Sequence, residues 1–219
     1  HQLPFIIAAI LSKTSVLGAV VVLRVLLISA DLGLLFFGKK LLRKLQLPTR
    51  NIYWYILNPL VVIELTGNLH FEGLMLFFFI MTLYFVHGKK WNLAALSMAF
   101  SIAVKLVPIL SLPLFLNTLG WKKSIRFYII TCGVFIILFL PFFSFEFFEN
   151  YSATIGLWFS NFEFNASVYY FLKWALAGIK NLNLINSMWA VVTCVFVIQT
   201  SYQLLQKKKE TKALLLMIF

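Results

Sequence analysis

Long uninterrupted apolar runs, separated by short clusters of basic residues, constrain this chain more than any other feature of its sequence. The first run extends from about Val16 to Phe37, and Lys39, Lys40 and Arg43 follow it directly. Hydrophobic residues make up 62% of the 219 residues and charged residues only 12%. A soluble domain is about half apolar and about a quarter charged, and one of this length could not bury so much apolar surface. The bilayer must therefore be the solvent.

The continuity of the apolar runs indicates the kind of structure that crosses this bilayer. Within hydrocarbon, backbone N–H and C=O groups must pair inside the protein, so only helices or a closed barrel can span. The runs are continuous rather than alternating, which favours helices. The predicted fold class is therefore all-α, a polytopic bundle of transmembrane helices.

The distribution of charge predicts the topology and excludes a nucleic-acid partner. The formal net charge is +12. Most of the basic residues, however, fall into four clusters between apolar runs, as the positive-inside bias produces. These clusters are Lys39 to Lys44 with Arg50, Lys89 with Lys90, Lys122 to Arg126, and Lys207 to Lys212. The gaps between them hold Glu64, Glu72, Glu146, Glu149 and Glu163. We expect the basic loops to face the cytoplasm and the acidic, aromatic loops to face outward.

Five apolar runs are long enough to read as single spans. They are about Val16 to Phe37, Ile52 to Leu65, Phe71 to Val86, Phe127 to Phe143 and Met188 to Leu205. Pro59 should kink the second, because proline lacks the N–H donor of a helix interior. The chain has no visible signal peptide and ends in an apolar ALLLMIF that reads as the start of another span. We expect one integral membrane domain, residues 1–219, truncated at both ends.

Two segments are not predicted to cross the membrane as single helices. Asn92 to Leu119 joins two basic loops, so it must cross twice or not at all, and it predicts two short helices broken around Lys105–Pro108. The alternative is one long tilted span with the third basic cluster outside. The aromatic segment Ser144 to Asn186 should lie outside, with an interfacial or re-entrant helix at about Ala166 to Gly178.

Ionisable residues at membrane depth are functional candidates because they are costly unless paired or hydrated. Arg24 and Asp31 lie seven residues apart on one helix face, and a structural pair, or partners on neighbouring helices, is the simpler interpretation. Glu64 is either a structural carboxylate or part of a substrate cavity. His70 and Glu72 can supply two ligands to a divalent cation, or a base and the group that orients it. Solvated loop residues are the alternative for this pair.

Lys105 is the sharpest candidate because apolar residues flank it on both sides in SIAVKLVPIL. It can bind a lipid phosphate, or it can pair with a carboxylate such as Glu64. Asn165 and Ser167 form an N-x-S sequence that suits glycosylation or sugar binding. The chain has no Walker loop and no G-x-G-x-x-G, so it offers no motif for soluble nucleotide chemistry.

The motifs LNPLVVIELTGNLHFEG, SIAVKLVPILSLPLF and NFEFNASVYYF resemble those of bacterial membrane glycosyltransferases of the GT-C type. The closest branch is the polyprenol-phosphate-mannose-dependent mannosyltransferases. The resemblance implies transfer of a sugar from a polyprenyl phosphate to a glycan or lipid acceptor outside the membrane, without a nucleotide sugar. It also implies a main catalytic acid in a first outer loop before His1, for which Asp31, expected toward the cytoplasmic end, is a poor substitute.

The resemblance also assigns roles within this chain. Asn68, His70 and Glu72 match the outer loop that borders the active site, and His70 and Glu72 are the expected catalytic residues. Lys105 matches the short-helix hinge near the lipid phosphate, and Asn165 and Ser167 match an outer loop that covers the sugar or acceptor. Together with Glu64, whose position allows it to line a substrate cavity, Asn68, Lys105, Asn165 and Ser167 are the expected substrate-binding residues. No cofactor is required beyond a possible divalent cation near His70 and Glu72. The assignment demands that the His70–Glu72 bend and the Lys105 hinge converge at the outer rim. A multi-span transporter or lipid-linked sugar flippase is the alternative, since broken helices and intramembrane charges also mark those proteins.

Overall fold

The computed structural model describes residues 2–146, 149–150 and 152–154. Helices contain 85% of these residues, and no described residue lies in a strand, which confirms the all-α prediction. The chain divides into two compact units, His1–Phe139 with Lys208–Phe219, and Leu140–Lys207. The described part of the second unit is a 3₁₀ turn, Leu140–Phe142, followed by short helical pieces. The helices below belong to the first unit.

Two helices occupy the N-terminal part of the first unit. Helix α1, Gln2–Ser12, was not among the predicted spans. Helix α2, Val16–Lys44, begins where the first span was predicted and continues through the first basic cluster. Ser15 caps its N-terminus by accepting a hydrogen bond from the Gly18 N–H at 3.0 Å.

The second predicted span is not one kinked helix, and this prediction was wrong. Helix α3, Ile52–Ile56, ends after five residues. A new helix, α4, begins at Pro59–Val61 and continues as a π-helix, Val62–Gly67. Proline is favourable at the first helical position, where no N–H is needed, so Pro59 starts a helix instead of bending one. Asn58 is extended, as a residue before proline prefers, and its Oδ1 accepts from the Leu60 N–H at 3.0 Å.

The helix predicted as the third span and the first of the two short helices predicted after it lie close to their predicted positions. Helix α5 is Glu72–His87 and helix α6 is Trp91–Val104. Lys105 then adopts an extended backbone, with φ −150° and ψ 140°, so α6 ends at the predicted break. The return leg differs from the prediction, which was a single short helix. It consists of a 3₁₀ turn, Val107–Ser111, and the six-residue helix α7, Leu114–Leu119.

Helix α8, Trp121–Phe139, begins six residues before the predicted span. The third basic cluster therefore occupies its first turns and not a loop. Helices α6 and α8 run in the same direction, because Thr131 of α8 donates to the Ala95 carbonyl of α6 at 3.3 Å while Lys123 lies over the ring of Trp91. The segment between them thus goes out and returns, as the charge pattern predicted.

The helices pack in the order α1, α2, α5, α6, α8. Helices α2 and α5 pack tightly at Gly33, where an added Cβ would lie 2.4 Å from the Phe77 ring. Between α5 and α6, the buried Ser101 hydroxyl donates to the Met75 carbonyl at 2.9 Å. A buried apolar cluster joins α2, α5 and the end of α6; its members are Leu27, Ala30, Leu74, Met75 and Val104. This cluster fixes where α5 begins and where α6 ends.

Two apolar stretches among the described residues, Val16–Lys44 and Trp121–Phe142, are long enough to cross a membrane. A third crossing exists if the bent pair Pro59–Gly67 and Glu72–His87 counts as one span, although the two helices meet at 109°. The last predicted span, the proposed outer segment beyond residue 154 and the interfacial helix at Ala166 to Gly178 lie outside the described residues.

Candidate active site at the polar turn

The connection between α4 and α5, residues 62–72, forms a tight polar turn at one end of the bundle. In its π-helical part, the Asn68 N–H donates to the Ile63 carbonyl at 2.9 Å and the His70 N–H donates to the Leu65 carbonyl at 3.0 Å. Leu69 adopts φ 56°, a left-handed conformation that is uncommon for a leucine. Its side chain packs against the buried cluster of α2, α5 and α6. The hydrophobic contact of Leu69 therefore helps to hold this strained turn, and π-helical segments are frequent at functional sites.

Two charged residues of α2 brace the turn from the side. Arg24 donates from Nη2 to the Gly67 carbonyl at 3.1 Å, and Thr66 donates from Oγ1 to Asp31 Oδ2 at 2.8 Å. The other oxygen of Asp31, Oδ1, is buried and has no hydrogen-bond partner among the described residues. Arg24 and Asp31 are thus partners of a neighbouring segment, as one of the sequence interpretations allowed.

The expectation that Asp31 lies toward the basic end of the first span was wrong. Helix α2 extends to Lys44, so Asp31 is the sixteenth of its 29 residues. It contacts the polar turn, and its Oδ1 lies 3.4 Å from the position that a Cβ on Gly73 would occupy. The absence of a side chain at position 73 lets the first turn of α5 pack beside the carboxylate.

Glu64 and Asn68 form a pair within the turn. Asn68 donates from Nδ2 to Glu64 Oε2 at 3.2 Å. The alternative in which Lys105 pairs with Glu64 is not what the structure shows. Asn68 instead satisfies an oxygen of Glu64.

Lys105 forms an ion pair and hydrogen bond with Oε1 of Glu72. His70 approaches the same carboxylate from the other side, and its Nδ1 lies 3.8 Å from Oε2. All three side chains are reachable from outside, because 51% of His70, 33% of Glu72 and 47% of Lys105 is exposed. The first residue of α5 and the first residue after α6 meet here because those two helices pack along each other.

In this trio, the partly exposed carboxylate of Glu72 lies between the ammonium group of Lys105 and the imidazole of His70. The carboxylate of Glu72 also lies at a helix N-terminus, where unpaired N–H groups favour negative charge. A phosphate that binds Lys105 would compete with Glu72 for the ammonium group. Phosphate binding would therefore release a carboxylate that can accept a proton, with an imidazole within reach to orient it.

The sequence-predicted site residues divide into three groups. His70, Glu72 and Lys105 come into contact, and Glu64 and Asn68 pair on the same turn. Asn165 and Ser167 lie outside the described residues. Sequence reasoning missed Thr66, although a threonine next to a glycine at the end of an apolar run was the available signal.

A divalent cation would find two ligands in His70 and Glu72. The described residues contain no group of three or more histidine, cysteine, aspartate or glutamate side chains that could hold a metal ion. Any cation here would take its remaining ligands from water or from a substrate phosphate.

A comparison with protein families supplies the identity of this region. A family model described as alpha-(1->6)-mannopyranosyltransferase, N-terminal domain, matches residues 3–120, just over half of the chain. The matched segment includes the bracing residues of α2, the whole polar turn and Lys105. Neither the curated proteins nor the solved structures gave a match. The chain belongs to the alpha-(1->6)-mannopyranosyltransferase N-terminal-domain family, and it is a glycosyltransferase of the mannosyltransferase class.

Proposed function

We propose that this protein transfers mannose from a polyprenyl-phosphate donor to a glycan or lipid acceptor on the extracytoplasmic side of a bacterial membrane, as a GT-C type enzyme. The observation that carries the proposal is the trio of His70, Glu72 and Lys105 at the polar turn. Lys105 and His70 both contact the Glu72 carboxylate, which supports a role for the lysine in binding a phosphate and for the carboxylate in accepting a hydroxyl proton. The site assignments below are part of the same proposal.

Lys105 is proposed to bind the donor phosphate. Its neighbours in the 3₁₀ turn expose apolar side chains, with Val107 55%, Ile109 41% and Leu110 49% exposed. A cation flanked by exposed apolar residues suits a lipid whose charged phosphate continues into a prenyl chain. A soluble nucleotide sugar has no apolar chain that could contact these exposed side chains.

Glu72 is proposed to act as base once the phosphate has drawn Lys105 away, which gives it the role that the family resemblance assigns to an acid before His1. The carboxylate removes the proton of the acceptor hydroxyl, and the resulting oxygen attacks the anomeric carbon of mannose. The bond from that carbon to the phosphate oxygen breaks, and polyprenyl phosphate leaves with the electron pair. Lys105 stabilises the negative charge that develops on the phosphate, and His70 orients Glu72. A single displacement of this kind inverts the anomeric configuration.

Glu64, Asn68, Asn165 and Ser167 are proposed to bind the substrates. Asn68 and Glu64 present an amide and a carboxylate on the turn that carries His70. Such groups hydrogen-bond sugar hydroxyls in both directions. Asn165 and Ser167 enter this proposal from the sequence resemblance alone.

The test supplies labelled polyprenyl-phosphate mannose to membranes that contain the protein and measures acceptor glycosylation and lipid translocation separately. Glu72→Gln and Lys105→Ala should each reduce transfer by about 100-fold or more, the effect typical of losing one stabilising group. Lys40→Ala removes a lysine that lies over the Phe36 ring on the basic stretch of α2, and it should leave transfer unchanged. Wild-type transfer by the site variants would reject the roles, and translocation without transfer would identify a flippase.

A further inference from the structure

A second polar region lies at the other end of α5 and α6. A groove of about 310 Å³ is lined by Lys89 and Lys90 of the α5–α6 turn, by Trp91, Asn92 and Leu93 of the first turn of α6, and by Arg126 of α8. We call it the basic groove. Helix α5 has 16 residues, so the basic groove is about 24 Å from Glu72 by helix rise. It is therefore separate from the polar turn.

Positive charge in the basic groove is not balanced by nearby acid. The sequence has no aspartate or glutamate between Glu72 and Glu146. Among the described residues, carboxylates form ion pairs only at the polar turn, and Lys89, Lys90 and Arg126 are not among their partners. Three cations around one open groove, with no counter-charge from the described chain, would attract an anion from outside.

Two further lysines add to this field while packing on aromatic rings. Lys123 lies over Trp91 at 5.2 Å from the ring centroid, and Lys44 lies over Tyr84 at 4.3 Å. Lys44 also approaches Gly88, where an added Cβ would lie 3.0 Å from its Nζ. These contacts hold Trp91 in the groove wall and bring the first basic cluster beside the second.

The position of the basic groove indicates the source of the anion. It lies where the apolar helices α5, α6 and α8 begin or end, so lipid headgroups would surround it. Trp91 forms its wall, Trp121 is 72% exposed at the start of α8, and tryptophan favours the headgroup level of a bilayer. Basic pockets between membrane helices bind anionic lipid headgroups by these means.

We propose that the basic groove is a binding site for the phosphate of an anionic phospholipid headgroup, with Lys89, Lys90 and Arg126 as the anion-binding residues. Arg126 is suited to bidentate contact with phosphate oxygens, and the lysines supply point charges. The exposed Leu93 and Trp121 would contact the adjoining glycerol and acyl region. This site does not depend on the proposed transferase chemistry.

The test measures lipid binding to the purified full chain by native mass spectrometry, with phosphatidylglycerol and phosphatidylcholine of identical acyl chains. Phosphatidylglycerol should bind at least about tenfold more tightly. The double variant Lys89→Gln/Arg126→Gln should weaken the binding of phosphatidylglycerol by about tenfold to thirtyfold. Each lysine or arginine near an anionic lipid surface contributes a factor of about five to the affinity, and this variant removes two of them. The matched double variant Lys40→Gln/Arg50→Gln removes the same charge outside the groove and should change binding less than threefold.

Equal binding of both lipids, or equal losses in the two double variants, would overturn the proposal. A parallel titration with inorganic phosphate separates the lipid from the free anion. If phosphate alone displaces phosphatidylglycerol at equal concentration, the site recognises a soluble anion and the proposal fails. Circular dichroism of each variant checks that the helices persist.

Discussion

Lys105 and Glu72 are 33 residues apart in the sequence, and they form an ion pair where α6 ends and α5 begins. The pair joins two ends of packed helices that the buried cluster already holds together. Its contribution to stability should therefore be small, because exposed ion pairs contribute about 0–1 kcal/mol. In the proposed function, the pair instead keeps a carboxylate and an ammonium group beside His70.

Exchanging the two charges separates the structural role of this pair from its chemical role. The double variant Glu72→Lys/Lys105→Glu preserves an ion pair but moves the cation to the α5 terminus. We expect a melting temperature within a few degrees of the wild type and a loss of mannose transfer of about 100-fold or more. Thermal unfolding in detergent and a transfer assay measure the two effects. Transfer at the wild-type rate by the exchanged pair would show that the two residues only hold the helices.

The contact between Thr66 and Asp31 predicts a graded effect of substitution. Asp31→Asn keeps an oxygen that can accept from Thr66 Oγ1, whereas Asp31→Leu leaves that hydroxyl without its acceptor. We expect Asp31→Asn to change the unfolding free energy by less than about 1 kcal/mol and Asp31→Leu to lower it by about 1–3 kcal/mol.

Thermal unfolding of the two variants and of Thr66→Val provides the measurement. Thr66→Val should also lower the unfolding free energy, and by more than Asp31→Leu, because it leaves a carboxylate with neither oxygen hydrogen-bonded to the described residues. If Asp31→Asn proves as damaging as Asp31→Leu, the carboxylate charge matters and not the hydrogen bond.

The sequence predicts the membrane class, the start of α2 and the break at Lys105 because each depends on local composition. An apolar run of membrane length is helical wherever it lies in a bilayer. The break follows from two charge clusters that must lie on the same side, together with the nearby Pro108. These signals do not need knowledge of any distant residue.

The polar turn could not be predicted to the same extent because distant residues determine it. Pro59 reads equally as a kink or as a helix start, and the Asn58 cap decides between them. The π-helix depends on Arg24 and Asp31, which are 43 and 35 residues from their partners. The sequence offered Glu64 as a partner for Lys105, but the packing of α5 against α6 selects Glu72. Asn165 and Ser167 stay predictions.

Gly33 predicts how closely α2 must approach α5. An added Cβ would lie 2.4 Å from Phe77 Cε2, well inside van der Waals contact. Gly33→Ala should therefore lower the unfolding free energy by about 1–3 kcal/mol, the usual cost of overpacking. Gly133→Ala is the matched control, because no atom lies within 4 Å of its Cβ and alanine is a better helix former in α8.

The melting temperatures of the two glycine variants should shift from the wild-type value in opposite directions, or Gly33→Ala should lower it clearly more than Gly133→Ala does. Adding Phe77→Leu to Gly33→Ala should restore part of the loss by freeing space at the ring. A Gly33→Ala variant as stable as Gly133→Ala would mean that α2 and α5 are not tightly packed at Gly33.

The hydrogen bond from the Leu60 N–H to Asn58 predicts that Asn58 contributes more to stability than Pro59 does. Asn58→Ala removes the acceptor for the Leu60 N–H and should cost about 0.5–2 kcal/mol, while Asn58→Asp retains an acceptor and should cost less. Pro59→Ala should be nearly neutral, since proline at a first helical position lacks only an N–H that would have been unpaired. Thermal unfolding in detergent ranks the three variants. Because α4 continues directly into the π-helix, Asn58→Ala should also reduce transfer more than Pro59→Ala. A Pro59→Ala variant that loses more stability than Asn58→Ala would show that the proline, and not the cap, starts this helix.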